Sequence, residues 1–205
     1  EREKIPSLAA LSLPDGFAYS YAPPFERRRP GSIPLDRNIG PAWAVKLRVS
    51  REYSRKEFGG RRDDDIGGGH TLGNKYFVDS KKHFAEHPDW YALRGGKRVE
   101  DGQLCHSSAG MRAQLLAEIR AKAAAHKGLD IANGVHYVSL SYLDNNKFCQ
   151  CDECKKLVKL WGGKRIGPAL DLANSVAREL EGDYPALRIS TLAYWDWVEP
   201  PEATP

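Results

Sequence analysis

The pattern that most constrains the fold is a strand, two helices and a second strand in the last third of the chain. Residues 135–143 (VHYVSLSYL) are β-branched and aromatic without a polar face, which is typical of a strand covered by helices. Helical patterns follow at residues 153–161 and 167–180, and Gly162 and Gly163 break the first of them. Residues 187–195 (LRISTLAYW) read as the next strand. Strands joined through helices pair in parallel. We therefore predict an α/β fold with a parallel (β/α) barrel-like arrangement.

Two further helices are predicted upstream of these strands. Residues 79–87 begin with Asp79 or Ser80, either of which can cap a helix, and Pro88 stops it. A turn is predicted around Gly95 and Gly96. The longer helical pattern covers residues 107–128, where Ser107 or Ser108 can cap the first turn. In that helix one face carries the apolar residues Met111, Leu115 and Ile119, and Gly128 stops it.

The first 73 residues are irregular and rich in Pro, Gly and Arg. They contain only two strand-like pieces, at residues 17–22 and 43–49, so the whole chain offers about five candidate strands. A complete barrel of this class has eight. We therefore expect residues 1–205 to form a single barrel-like domain or a fragment of one, with an incomplete set of strands.

Composition excludes two classes of partner. The chain has 205 residues, of which 41% are hydrophobic, but no stretch approaches the roughly 20 apolar residues that span a bilayer. The formal net charge of +4 is mild, and the basic runs at residues 26–30 and 59–65 also contain acidic residues. We expect neither a membrane span nor a nucleic-acid partner.

The chain has four cysteines, and three of them form a CxCxxC group. Cys149, Cys151 and Cys154 follow one predicted strand and Cys105 follows another, so we expect all four at the same end of the sheet. Four thiolates are the ligand set of a closed structural zinc site. Two disulfides or four free buried thiols are the alternatives, and a nucleophilic cysteine is disfavoured.

Polar and aromatic side chains stand where the predicted parallel strands end. Asp144 follows the first strand, and Tyr194, Trp195 and Asp196 lie at the end of the other. Functional groups of (β/α) proteins gather beyond the carboxyl ends of the strands. His70, after three glycines, is a weaker candidate. The alternative for Asp144 is a structural role in a turn, since Asp and Asn side chains hydrogen-bond to nearby backbone groups and favour turns.

Five segments of the chain resemble a known family in their order and spacing. They are residues 67–71 (GGGHT), 83–98 (HFAEHPDWYALRGGKR), 103–105 (QLC), 138–157 (VSLSYLDNNKFCQCDECKKL) and 187–201 (LRISTLAYWDWVEPP). The sequence is similar to the bacterial family called domain of unknown function 4838. That family is regarded as glycoside-hydrolase-like (β/α) barrels in large, often exported proteins of polysaccharide-degrading bacteria.

The resemblance implies a carbohydrate-active protein that acts on a polysaccharide or oligosaccharide. It also implies export to the periplasm or the cell exterior and further domains in a larger parent chain. Asp144 and Asp196 would then be the catalytic carboxylates of a glycoside hydrolase. The residues that contact the sugar would be His70, Arg98, Tyr194 and Trp195. The alternative is a non-catalytic carbohydrate-binding or structural β/α module that the four cysteines staple.

Overall fold

The computed structural model describes residues 12–20, 65–125, 136–193 and 198–203. The strands within these ranges are β1 (Asp65–Ile66), β2 (Leu93–Arg94), β3 (Lys97–Arg98), β4 (His136–Ser139) and β5 (Leu187–Ser190). The helices are α1 (Ser80–His83), α2 (Ala109–Ala125), α3 (Asp152–Leu160) and α4 (Gly167–Leu180), with a 3-10 turn at Pro88–Trp90. None of these helices is long and apolar enough to cross a membrane.

Three of the strands form a parallel sheet in the order β1-β4-β5. Val138 is the central register point, because it pairs with Ile66 on one side and with Ile189 on the other. Helices α3 and α4 lie in the connection from β4 to β5. The α/β class and the parallel arrangement are confirmed by this sheet, while closure into a barrel stays a prediction.

The main core lies between the sheet and helices α2 and α4. Met111, Leu115 and Ile119 of α2 are completely buried, as their spacing predicts, and share one apolar cluster with Val138 and Leu172. Burial of such a stripe on each helix supplies most of the stability of helices this short. The core therefore holds the sheet and both helices as a base for the loops above them.

Local signals set the starts of α1 and α2 correctly. Ser108 caps α2, since its hydroxyl accepts a hydrogen bond from the backbone N–H of Met111 at 3.4 Å, and the predicted stop at Gly128 lies outside the described residues. Asp79 caps α1 through the N–H of Lys81. Helix α1 ends at His83, well before Pro88, so it is shorter than predicted.

Glycines shape the passage from α3 to α4. Gly162 and Gly163 have φ angles of 70° and 80°, a conformation that side-chain-bearing residues rarely adopt, and they end α3 as predicted. Helix α4 occupies the predicted residues. A Cβ atom at Gly167 would lie 2.3 Å from Cβ of Trp161, so this glycine lets the two helices approach closely.

The strand predicted at residues 135–143 is shorter in the structure. After Ser139 the backbone still forms hydrogen bonds to neighbouring segments, but its partners change. The N–H of Leu140 donates to the carbonyl of Ser190 at 2.7 Å, whereas the carbonyl of Ser141 accepts the N–H of Thr71 at 2.9 Å. The segment thereby leaves β5 for the loop that follows β1. Strand β5 likewise ends at Ser190, earlier than predicted.

The turn predicted at Gly95 and Gly96 belongs to an antiparallel hairpin formed by β2 and β3. Strands of two residues each carry no alternation that sequence patterns can detect. Residues 17–20, part of a predicted strand-like piece, lie in no strand, and the piece at residues 43–49 lies outside the described residues.

Candidate metal centre and adjoining cavity

The four cysteines form one compact cluster. Their sulfur atoms all lie within 4.8 Å of one another, with that of Cys105 at 3.7 Å from Cys151 and 3.8 Å from Cys154. None of the four forms a disulfide bond. The predicted proximity of Cys105 to the CxCxxC group, which includes Cys149, is confirmed.

Two elements bring the sulfurs together. Cys105 follows a bridge between Tyr91 and Leu104, and its backbone N–H donates to the carbonyl of Trp90 at 2.7 Å. Cys151 is the N-cap of α3, and its sulfur accepts the N–H of Cys154 at 3.4 Å. The positive end of the helix dipole favours a thiolate at this position.

The sulfur separations fit a shared metal ion. A Zn–S bond of about 2.3 Å places the sulfurs of a regular tetrahedron about 3.8 Å apart, whereas a disulfide needs about 2.05 Å. The sulfur of Cys105 lies 3.7 Å from that of Cys151 and 3.8 Å from that of Cys154. These two separations are therefore those expected of sulfurs that share one metal ion.

Electrostatics also favours a cation among the sulfurs. Hydrogen bonds from Cys149 and Cys154 lower the pKa of the Cys105 thiol. The Cys105 thiolate in turn raises the pKa of Cys149 to about 11 and holds that of Cys154 well above its usual value. Four neighbouring thiols cannot ionise together unless a positive charge compensates them, and a bound divalent ion supplies that charge.

Several donors surround the cluster. The backbone N–H of Leu93 donates to the sulfur of Cys149 at 3.4 Å, and the hydroxyl of Ser107 lies 3.2 Å from that of Cys154. Arg98 donates to the carbonyl of Tyr91 at 2.7 Å and to the sulfur of Cys149 at 3.9 Å. Arg98 therefore lies beside the metal centre, and the sugar contact that the resemblance implies for it stays a prediction.

A cavity of about 540 Å³ adjoins the cluster, and Cys149 and Cys154 are part of its lining. One wall is the loop after β4, which contributes Tyr142, Asn146, Phe148 and Gln150. The others come from the hairpin, residues 103–106, α3, the link between α3 and α4, and the start of α4. The cavity lies beyond the carboxyl end of β4, the position typical of ligand sites in β/α proteins.

A buried histidine and tyrosine form the floor of the cavity. The rings of His106 and Tyr142 stack with centroids 4.9 Å apart, and His106 Nδ1 lies 3.1 Å from the Tyr142 hydroxyl and 3.2 Å from the carbonyl oxygen of Pro168. Burial lowers the pKa of His106 to about 4, so the ring is neutral at pH 7. Sequence patterns missed this pair, although His106 directly follows a cysteine that they singled out.

The loop that carries Asp144 is held by a buried glutamine. Gln103 donates to the carbonyl of Leu143 at 2.8 Å and to Oδ1 of Asn145 at 2.9 Å, and it accepts the N–H of Leu143 at 3.0 Å. Asp144 itself is exposed. Sequence patterns did not identify this role of Gln103, because its hydrogen-bond partners lie about 40 positions away along the chain. The only local signal was a polar residue two positions before Cys105.

His70 lies near the same loop. Its Nδ1 donates a hydrogen bond to the carbonyl of Tyr142, two residues before Asp144, and Asn74 donates to the carbonyl of His70 at 2.8 Å. The segments after β1 and β4 thus meet beyond the carboxyl edge of the sheet. Tyr194, Trp195 and Asp196 lie outside the described residues, so the roles of these candidates stay predictions.

A comparison with protein families identifies the chain's relatives. The family model described as "Domain of unknown function (DUF4838)" matches residues 1–205. The chain belongs to the DUF4838 family. The match also covers residues 1–66, which the segments noted in the sequence do not include. No curated protein and no solved structure matches the chain.

In this DUF4838 chain a sulfur donor set and a ligand-sized cavity share one wall. The sulfurs can bind a soft divalent ion and offer no other donor type, a composition typical of structural metal sites. The cavity combines aromatic, amide and cationic side chains. Such a combination suits a polar ligand with an apolar face.

Proposed function

We propose that this DUF4838 chain is a carbohydrate-binding β/α domain in which zinc, bound by the four cysteines, fixes one wall of the sugar-binding cavity. A single observation carries the proposal: residues 148–154 contribute to both features. This segment supplies three of the four cysteines, and Phe148, Cys149, Gln150 and Cys154 line the cavity. Whatever orders the sulfurs therefore also orders the cavity wall.

The donor set supports zinc as the metal. Four cysteine thiolates make a closed tetrahedral site, which holds zinc without leaving a position for substrate. Bound zinc would keep the thiolates deprotonated and inert. Cys105 would thereby be joined to Cys149, 44 positions further along the chain, and to the first turn of α3. The role of the metal in this proposal is to position the loop, and no chemical step passes through it.

The cavity supports carbohydrate as the ligand. Its volume of about 540 Å³ is in the range of small-ligand sites. The half-buried ring of Phe148 offers an apolar face for the C–H groups of a pyranose, and Asn146 and Gln150 offer amide groups for its hydroxyls. We take the three parallel strands to be part of a (β/α) barrel, in which ligand sites lie at this edge.

The test is glycan binding by the zinc-loaded chain, measured by calorimetry on ligands selected from a glycan array. We expect Phe148→Ala to weaken the binding of a selected glycan about tenfold or more, because the variant loses the apolar face. Leu160→Ala is the matched control, since Leu160 is an exposed apolar residue of α3 outside the cavity lining. Failure of the zinc-loaded chain to bind any glycan contradicts the proposal.

Glycoside hydrolysis is the second candidate, and the setting of Asp144 favours it. The carboxylate is exposed on a loop that Gln103 holds, and His70 contacts the same loop. A fixed carboxylic acid beside a sugar site can protonate the glycosidic oxygen, and hydrolysis then needs a second carboxylate or a substrate group. Asp196 is the sequence-based candidate for that second carboxylate.

A further inference from the structure

We infer that the cavity binds a sugar that carries a carboxylate, such as a hexuronate. This inference rests on the proposed carbohydrate binding and adds the charge of the ligand to it. Among the described residues the lining contains three basic side chains, from Arg94, Lys155 and Arg165, and no Asp or Glu; its anionic groups are the thiolates of Cys149 and Cys154, whose charge the bound zinc would partly compensate. A neutral sugar would use none of this positive charge.

The positive charge is concentrated around one aromatic residue. Arg94 Nη1 donates to the backbone carbonyl of Phe148 at 3.3 Å, and the guanidinium of Arg165 lies 5.9 Å from the centre of the Phe148 ring. A guanidinium has five N–H donors, and the bond from Arg94 to Phe148 uses one of them. Two guanidinium groups thus lie close to the residue proposed to contact the sugar ring.

The third cation can exchange its present partner for a ligand. Lys155 forms an ion pair with Asp152 at 3.0 Å, but both side chains are largely exposed, at 65% and 87%. Exposed pairs of this kind contribute little free energy. An incoming carboxylate in a more enclosed position can therefore compete with Asp152 for Lys155.

The remaining lining narrows the class of anion. Arginine binds carboxylates through two parallel N–H···O bonds, which suits the planar carboxylate of a hexuronate. The amides of Asn146 and Gln150 match the several hydroxyl groups of a sugar, which acids such as acetate and succinate lack. A sugar ring with both a carboxylate and hydroxyls therefore matches the basic and the amide side chains of the lining together.

Matched pairs of sugars test the inference. Calorimetry with the zinc-loaded chain would compare glucuronate with glucose, galacturonate with galactose, and cellobiouronate with cellobiose, since each pair differs only in the oxidation of one carbon. We expect at least one acidic member to bind about tenfold more tightly than its neutral partner, because a charge-assisted bond adds that much affinity. Salt should weaken the acidic member selectively.

Two variants locate the effect. Arg165→Gln should remove most of the acidic sugar's advantage and leave neutral binding little changed, and Arg94→Gln should act in the same direction. Arg178→Gln is the control, because Arg178 is an exposed arginine of α4 outside this cavity. An unchanged melting temperature verifies that each variant folds.

The outcomes separate this inference from the broader proposal. Equal binding of acidic and neutral partners, or acidic binding that both arginine variants leave intact, overturns the inference while carbohydrate binding stands. Binding of citrate as tight as that of the acidic sugar also overturns it, because citrate is not a sugar. Absence of binding to every sugar, acidic and neutral, overturns both.

Discussion

The sulfur atoms of Cys105 and Cys154 lie 3.8 Å apart, although the residues are separated by 49 positions. One precedes α2 and the other lies in the first turn of α3. Together with Cys149 and Cys151, they bring the segment before α2 and the start of α3 into contact beside the cavity.

Cys154→Ser should remove tight metal binding and lower the free energy of unfolding by about 3 kcal/mol or more, because the other three thiolates lose the ion that compensates them. Thermal unfolding with and without a chelator measures the effect. The chelator should lower the melting temperature of the wild type and leave that of Cys154→Ser unchanged. Ser107→Ala is the control, since its hydroxyl touches the sulfurs without belonging to the cysteine set. A variant as stable as the wild type would refute the prediction.

Thr71→Val should destabilise the link between the loop after β1 and the segment after β4. Thr71 is completely buried, and its hydroxyl donates to the carbonyl of Ser139 at 2.6 Å and accepts the N–H of Ser141 at 3.0 Å. Valine keeps the shape but leaves both groups unpaired, at a cost of about 1–3 kcal/mol. Urea unfolding measures the difference.

Thr191→Val provides the comparison for that experiment. The Thr191 hydroxyl makes one bond, to the carbonyl of Leu140 at 2.8 Å, and the residue is only half-buried. We expect a cost of less than about 1 kcal/mol there. Equal losses in Thr71→Val and Thr191→Val would contradict the role assigned to Thr71.

Gly167→Ala should destabilise the packing of α3 against α4. The added methyl group would lie 2.3 Å from Cβ of Trp161, which cannot move without the backbone, and overpacking of this kind costs about 1–3 kcal/mol. Gly182→Ala is the matched control, because nothing lies within 4 Å of the position of its added methyl. Thermal unfolding compares the two, and an equal effect of both substitutions would show that the close approach at Gly167 is unimportant.

Asp144→Asn should leave the fold intact, because the side chain is exposed, and should reduce any glycoside hydrolysis about a hundredfold or more. Chromogenic glycosides and a melting curve measure the two properties. Asp183→Asn, at another exposed carboxylate, should retain activity. Hydrolysis at the wild-type rate by Asp144→Asn would rule out its catalytic role. A wild type that binds glycans without hydrolysing any would instead favour the non-catalytic module.

Elements with local signals were predictable from the sequence. Helix α4 occupies the predicted residues because Pro168 fixes its first turn and glycines flank it on both sides. The buried face of α2 follows from the spacing of Met111, Leu115 and Ile119. The proximity of the four cysteines was also predicted correctly, although Cys105 follows an isolated antiparallel bridge and not a strand of the parallel sheet.

The cavity and its supports were not predictable, because they depend on contacts between distant segments. Gln103 and Leu143 are separated by 40 positions, and no local pattern marks a glutamine that will hold a loop. Arg98 followed a predicted turn, and only the hairpin directs it toward Cys149. The early end of β4 has the same origin, since Ser141 bonds to Thr71, 70 positions earlier in the chain.

Native mass spectrometry of the purified chain, before and after treatment with a chelator, tests the zinc-fixed loop most directly. We expect one zinc ion per chain, lost on chelation, and four cysteines that react with a thiol reagent only after the metal is removed. A metal-free mass would contradict the account. Four freely reactive thiols would then show that the cysteines are free, and a mass lower by the hydrogens lost in forming two disulfide bonds would show that they are cross-linked.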